Sequence, residues 1–308
     1  MKSRKPVGKA NPTTDHKHVE RVKIDCACDR EISLDELMDA FPSQKKEILE
    51  KYLPLLNNTF KTYEINSCMR KIHFLAQVGH ESGSLGLTAE VLPKGKTEEK
   101  SYGGYKGRGL IQLTFKDTYK AYGDYIGQDL LDKNRLKLEN PELATDSAGW
   151  YWLYGKSVNL NTLAGTNDLI AISISINGGL NGFDHRHRLL KNAYNSLNVI
   201  ACKALAPLKE LMPEEYENSL LVKEYKFSES KAFNNTRSAL AWGYWHDPQT
   251  KVKGVEKNIE KSKEGYQRFV DLSKTKPLKS KAFGSGPENN LKRAKAALGL
   301  PIKDKKNG

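Results

Sequence analysis

"FLAQVGHESGSLGLTAE", residues 74–90, changes character twice in a short span. It begins as the end of a helical pattern: Ser67 stands at a capping position, and Cys68, Ile72, Leu75, Ala76 and Gly79 then recur at three- and four-residue spacing. The pattern delivers His80 and Glu81, breaks at Gly83 and Gly86, and reaches a second carboxylate at Glu90. An apolar helix that ends in acid beside a glycine-rich reversal predicts a helical core with a polar cleft at its edge.

Two carboxylates flanking one cleft are the equipment of glycosidic-bond cleavage: one protonates the leaving oxygen, and the other acts at the anomeric carbon or on a water. Glu81 suits the acid role, because the negative end of the helix dipole favours the protonated form. A rigid helix would hold Glu81 and Glu90 about 13 Å apart, too far to share one sugar. The intervening glycines let the chain fold back toward the roughly 6.5–9.5 Å of an inverting site. On spacing alone, the two glutamates are also compatible with unrelated surface positions.

The rest of the chain is predominantly helical in pattern. Ser33 and Glu36 form a capping box ahead of Leu34, Leu37, Met38 and Phe41. Further helices are expected over residues 45–63 with an interruption at Pro54, over 116–126, 141–155 and 166–177, and again from residue 184. "SYGGYKGRGLIQLT", residues 101–114, carries turn glycines and then a β-prone run, which predicts a small hairpin or sheet beside the helices. Beyond about residue 206 the signal weakens, apart from an amphipathic helix within 254–274 and a short last helix near 290–300. The expected organisation is a flexible basic lead-in over residues 1–30 with a short strand at "VERVKID", a main domain over 31–205 and a basic, partly helical extension over 206–308.

At 308 residues and 38% hydrophobic, the chain can bury a sizeable core. No apolar run reaches the roughly 18 residues of a membrane span, and the basic start lacks the apolar centre of a Sec signal peptide. The formal charge is +13, and residues 251–308, with sixteen Lys/Arg against six Asp/Glu, supply +10 of it. Such a segment attracts anionic polymers or lipid, while no recognised motif points to specific nucleic acid. Four cysteines are too few for a disulfide scaffold. Reduced thiols are expected, with a disulfide from Cys26 or Cys28 as the alternative. No metal or cofactor is expected, because neither "CAC" at 26–28 nor the pair His185 and His187 has companions at ligand spacing.

Three motifs in order, "FLAQVGHESGS", "YKGRGLIQLT" and "INGGLNG" followed by arginine, resemble glycoside hydrolase family 19 over roughly residues 31–200. The resemblance implies a mainly α (α+β), lysozyme-like fold with the small β element beside the cleft. It implies Glu81 as general acid and, by the spacing of the bacterial and phage branch, Glu90 as base, with Glu98 and Glu99 as weaker candidates. Thr114 is implied to hold the attacking water. Gln112, taken to lie on the same strand face, is read as a substrate ligand, as is Asn177. Tyr105 is implied to line the sugar cleft, and Arg108 to pair with a carboxylate, steadying Glu90 as base but weakening the acid assignment if it pairs with Glu81. Arg186 matches the family's arginine, with Arg188 as the alternative. His80 is taken to orient the site.

The family acts on chitin or peptidoglycan, both built on β-1,4-linked N-acetylglucosamine. The short connection to Glu90 and the basic charge favour peptidoglycan, and hence a muramidase-type endolysin or secreted antibacterial effector. Without a Sec signal it would reach the bacterial wall or periplasm through a holin or a secretion machine. An immunity or loading partner belongs to that reading, and the basic C-terminal region is expected to meet anionic envelope polymers. A chitinase is the enzymatic alternative. A wall-binding protein that has kept the fold without catalysis is the alternative of another class.

Overall fold

The structure is a computed structural model that describes residues 25–202 and 224–302. At its centre runs α3 (Cys68–Glu81), whose side chains are buried along nearly its whole length. Ser67 caps it by accepting from the Arg70 N–H. Phe74 sits between Phe60 and Trp152 in edge-on contacts at 5.8 and 5.3 Å, so the catalytic-motif helix is also the core helix.

Around it stand α1 (Leu34–Ala40), with the Ser33–Glu36 capping box, and α2 (Lys46–Thr62). They are followed by α4 (Glu98–Tyr102), α5 (Lys116–Ile126), α6 (Pro141–Tyr154), α7 (Leu160–Gly165), α8 (Leu169–Asn177) and α9 (Phe183–Ser196). Helix α9 packs on α3 and α1, and α6 packs on α2. The C-terminal part adds α10 (Thr236–His246), α11 (Ile259–Ser273) and α12 (Pro287–Ala297), with α10 and α11 packed together and α10 reaching α8. Trp242 of α10 stacks on Phe227 at 5.1 Å and meets Phe183 edge-on, so one apolar core runs from the first described helices to the last. Asp168 reinforces this junction by accepting from Ser230 Oγ and the Lys231 N–H at 2.7 and 2.8 Å.

Several expectations need correction. Helix α2 runs unbroken through Pro54. That residue is exposed, so the carbonyl deprived of its helix partner faces water, while Leu49, Tyr52, Leu56 and Phe60 stay buried on the opposite side. The helix predicted over 166–177 begins only at Leu169, because Asn167 is left-handed with φ 54° and Asp168 caps the helix, and the short α7 that ends at Gly165 has no counterpart among the expected helices. Helix α9 stops at Ser196, well short of the end of the helical pattern. Helix α10 escaped notice because it is buried on nearly all sides and therefore has no polar face to give a period.

No strand is present among the described residues. The expected β element is reduced to isolated antiparallel bridges, Ala89 with Arg108 and Arg108 with Leu113. The proposed strand at "VERVKID" lies almost wholly outside the described residues. So do most of the lead-in and residues 203–223. Among the described residues no helix is long and apolar enough to cross a membrane.

Candidate functional site

The reversal after Glu81 is tighter than its glycines alone predict. Gly83, Ser84 and Leu85 are all left-handed, at φ 57°, 57° and 70°. For the serine and leucine this is strained, and the surroundings hold it. Leu85 is buried, Gln44 Nε2 donates to the Ser84 carbonyl at 2.7 Å, and Ser82 Oγ accepts from the Leu85 N–H while donating to the Val78 carbonyl.

The chain then runs antiparallel to the 107–109 loop. The Gly109 N–H donates to the Thr88 carbonyl, and the Glu90 N–H donates to the Gly107 carbonyl, both at 2.8 Å. Gly109 has φ 78°, and a Cβ there would meet Ser147 Oγ at 2.7 Å, so only glycine lets the loop settle on α6.

This folding brings Glu81 and Glu90 to one cleft of about 670 Å³, also lined by Gln112, Thr114 and Asn177. Five of the residues singled out from the sequence thus share one space. The Glu81 carboxyl is 16% exposed, and its Oε1 accepts from the guanidinium of Arg186, which is fully buried. That guanidinium also donates to Gln77 Oε1 at 2.6 Å and to the Asn181 carbonyl. The group that meets the Glu81 carboxyl at the end of α3 is therefore an arginine as well as the helix dipole.

Across the cleft, Glu90 Oε1 accepts from Tyr102 Oη at 2.8 Å and Oε2 from the Gly107 N–H at 3.3 Å. Burial, together with the bond and charge of Glu90, raises Tyr102 above the ordinary phenol range, so it stays a donor. Thr114 Oγ1 donates its proton to the Gln112 carbonyl at 2.9 Å, which leaves its lone pairs to accept from a water. Two carboxylates and a hydroxyl acceptor around one cavity can protonate a leaving oxygen and activate a water.

Other assignments change. Tyr105 does not line the cleft: it is buried, its ring lies against Tyr119, and its hydroxyl accepts from the Asp132 N–H. Tyr102 lines the cleft instead. Arg108 pairs with neither Glu81 nor Glu90. It is buried between Glu98 and Glu139 at 2.6 and 2.7 Å, where these bonds outweigh burial and hold its charge. Glu98 is thereby withdrawn from the base role; burial opposes its charge, but Arg108 and the Lys106 N–H lower it on balance. Glu99, 70% exposed, does not line the cleft.

Gln112 lies in a turn rather than on a strand face, with φ 57° and Nε2 donating to the Gly109 carbonyl. Arg186, not Arg188, meets Glu81, and its burial keeps it from touching substrate. Sequence reasoning missed Phe115, which is 59% exposed with φ 73° and tilts against Tyr102 at 5.9 Å. It also missed Tyr151 and Lys156 on the cleft wall. The exposed phenylalanine directly after "LIQLT" was the available signal.

His80 lies behind the cleft and does not line it. Its ring packs so closely on Gly182 that a Cβ there would fall 1.9 Å from it, and its Nδ1 is hydrogen-bonded to His185 Nδ1 at 2.8 Å, one ring donating and the other accepting. His187 turns away toward Tyr225. Burial, with the charges of Arg186 and His185, pushes His80 down to about 3, so it is neutral at neutral pH. Because the unfolded imidazole takes up a proton near 6.5, His80 lets stability rise with pH from about 3 to about 6.5 and lowers it below that window. In an NMR titration its ring resonances should stay flat from about pH 8 to 5; a midpoint near 6.5 would contradict its placement.

The family model described as "Chitinase class I" matches residues 72–164. A glycosyl hydrolase family 19 domain-containing protein of Haemophilus influenzae is 32% identical, over 40% of this chain and 78% of its own length. An endochitinase of Avena sativa is 37% identical over 27% of this chain and 40% of its own. The solved structure of chitinase C from Streptomyces griseus HUT6037 aligns at 25% identity over 54% of this chain and 92% of its own, with a TM-score of 0.44. With the matched region spanning Glu81, Glu90 and Thr114, and most of the Haemophilus relative covered, this chain belongs to glycoside hydrolase family 19 and is a glycoside hydrolase.

Proposed function

We propose that this glycosidase cleaves the β-1,4 bonds of peptidoglycan by an inverting mechanism on a lysozyme-like scaffold. The observation that carries the two-glutamate reading is the meeting of Glu81, Glu90 and Thr114 at one cleft. In this reading Glu81 gives its proton to the leaving glycosidic oxygen. Arg186 holds Oε1, which leaves Oε2 to meet the substrate. Glu90, oriented by Tyr102 and the Gly107 amide, removes a proton from a water that Thr114 accepts and positions. The water attacks the anomeric carbon from the face opposite the departing oxygen, so the configuration inverts. Asn177 and Gln112 offer amides to the acetamido groups, and Phe115 and Tyr102 offer ring faces to the sugars.

Two observations favour peptidoglycan. The chain carries a formal charge of +13, suited to an anionic wall. Exposed Lys156 stands on the wall of the cleft, where it can meet the lactyl or stem-peptide carboxylates that chitin lacks. The chitinase reading has its own support in the relatives named endochitinases. Action as an endolysin or a delivered antibacterial effector at the wall, with an immunity or loading partner and with envelope contacts through the basic C-terminal part, belongs to the peptidoglycan reading.

The test is clearing of purified Gram-negative peptidoglycan beside colloidal chitin. Wild type should clear peptidoglycan, release reducing ends first seen by NMR as the α anomer, and lose at least about 100-fold in rate on Glu81→Gln or Glu90→Gln. Clearing of chitin alone would overturn the substrate, and full activity in either variant would overturn its role. Lys156→Ala should raise KM on peptidoglycan several-fold and leave soluble chito-oligosaccharides unaffected; equal effects on both would remove the lysine from the specificity argument.

A further inference from the structure

The end of α3 opposite Glu81 carries a second cluster that the glycosidase reading does not use. All four cysteines of the chain, Cys26, Cys28, Cys68 and Cys202, meet there, and their Sγ atoms lie within 4.8 Å of one another. They come from three separate places: the loop before α1, the first residue of α3, and the turn after α9. Cys68 and Cys202 are buried, and Cys26 and Cys28 half-buried.

We infer that Cys26, Cys28, Cys68 and Cys202 bind one zinc ion as four thiolates, forming a structural site that ties the loop before α1 and the turn after α9 to the head of α3. A tetrahedral Zn–S₄ site with bonds near 2.3 Å requires sulfur–sulfur edges of about 3.8 Å. Two pairs, Cys28 to Cys68 at 3.1 Å and Cys28 to Cys202 at 3.3 Å, need only open by about 0.5–0.7 Å to reach it. Every sulfur lies within 4.8 Å of every other, so all four can close on one ion, which two separate pairs would not require. Cys28 illustrates the difference, since its sulfur approaches two partners and a disulfide can take only one.

The surroundings suit thiolates. The Cys68 N–H donates to Cys28 Sγ at 3.2 Å, the kind of amide bond that orients and stabilises a ligating sulfur. Lys71, one turn along α3 and 2% exposed, turns its ammonium into the same loop and donates to the carbonyls of Ala27, at 2.6 Å, and Arg30. Arg30 wraps the loop from outside, donating to the carbonyls of Asp25 and Cys26. Binding is balanced as Zn²⁺ and four thiols giving a tetrathiolate of net charge −2 and four protons released to solvent. The buried ammonium of Lys71 offsets part of that charge, while the guanidinium of Arg30 is already paired with Glu36. A site of four protein ligands leaves no open position for water, and α3 sets it about 20 Å from Glu81, so its role is to brace the helix rather than to catalyse.

The test uses the full-length chain purified under reducing conditions from zinc-supplemented medium. Elemental analysis should find one zinc per chain, released when the four thiols are titrated with a mercurial. Cobalt(II) loaded in its place should give the visible absorption of a tetrahedral tetrathiolate. Stripping the zinc should lower Tm and susceptibility to proteolysis should rise, and Cys202→Ser should bind zinc more weakly by at least tenfold. The metal content of the wild type decides the matter even if the variant fails to fold. Four native thiols reacting freely with no metal bound, the mass deficit of a disulfide, or stoichiometric iron instead of zinc would each overturn the proposal.

Discussion

The contact on which the site depends is the buried ion pair between Arg186 and Glu81. It joins the last residue of α3 to the first turn of α9, the two helices whose packing forms the middle of the molecule. An arginine removed from water is costly unless its donors are used, and here they go to Glu81, Gln77 and the Asn181 carbonyl. The pair therefore does two things at once. It fixes the direction of the Glu81 carboxyl, and it requires the glycine-rich bend before α9 to stay folded, because that bend supplies one of the acceptors.

The opposite wall is built on different physics. Glu90 hangs on a loop held by single backbone bonds to residues 107–109 instead of by a sheet. Arg108 compensates for the missing strands: buried between Glu98 and Glu139, it stitches this loop to α4 and to the segment before α6. Gln112 and Phe115 are held in left-handed conformations that turn a polar amide and an aromatic ring into the cleft. Strain of this kind persists where the surroundings over-determine it, which is common at functional sites. One carboxylate thus rests on helix packing and the other on a loop.

The sequence revealed what depends on local pattern. The Ser33 capping box, the apolar stripe of α3 and the boundaries of α5 are all present as spacing, and motif order was sufficient to bring Glu81, Glu90, Gln112, Thr114 and Asn177 together. What was not legible depends on which way a side chain turns. Tyr105 and Tyr102 are equivalent aromatic neighbours of the glycines, yet only Tyr102 reaches the cleft. The partners of Arg108 lie ten residues upstream and thirty-one downstream, beyond any periodicity. The cysteines were opaque for the same reason: Cys28, Cys68 and Cys202 have no common spacing, and they meet only through the packing of α9 on α3 and the docking of the loop before α1 on the head of α3.

The most direct measurement of this account is a double-mutant cycle on the buried pair, with Arg186→Met, Glu81→Gln and the double variant compared by denaturant unfolding. Arg186→Met alone should cost about 3–5 kcal/mol, since it leaves the acceptors on Glu81, Gln77 and Asn181 without their shared donor. In the double variant at least 1 kcal/mol of that loss should be recovered, because the neutral amide no longer needs the guanidinium. Strictly additive losses would mean that Arg186 does not hold Glu81, and the placement of the acid would have to be explained without it.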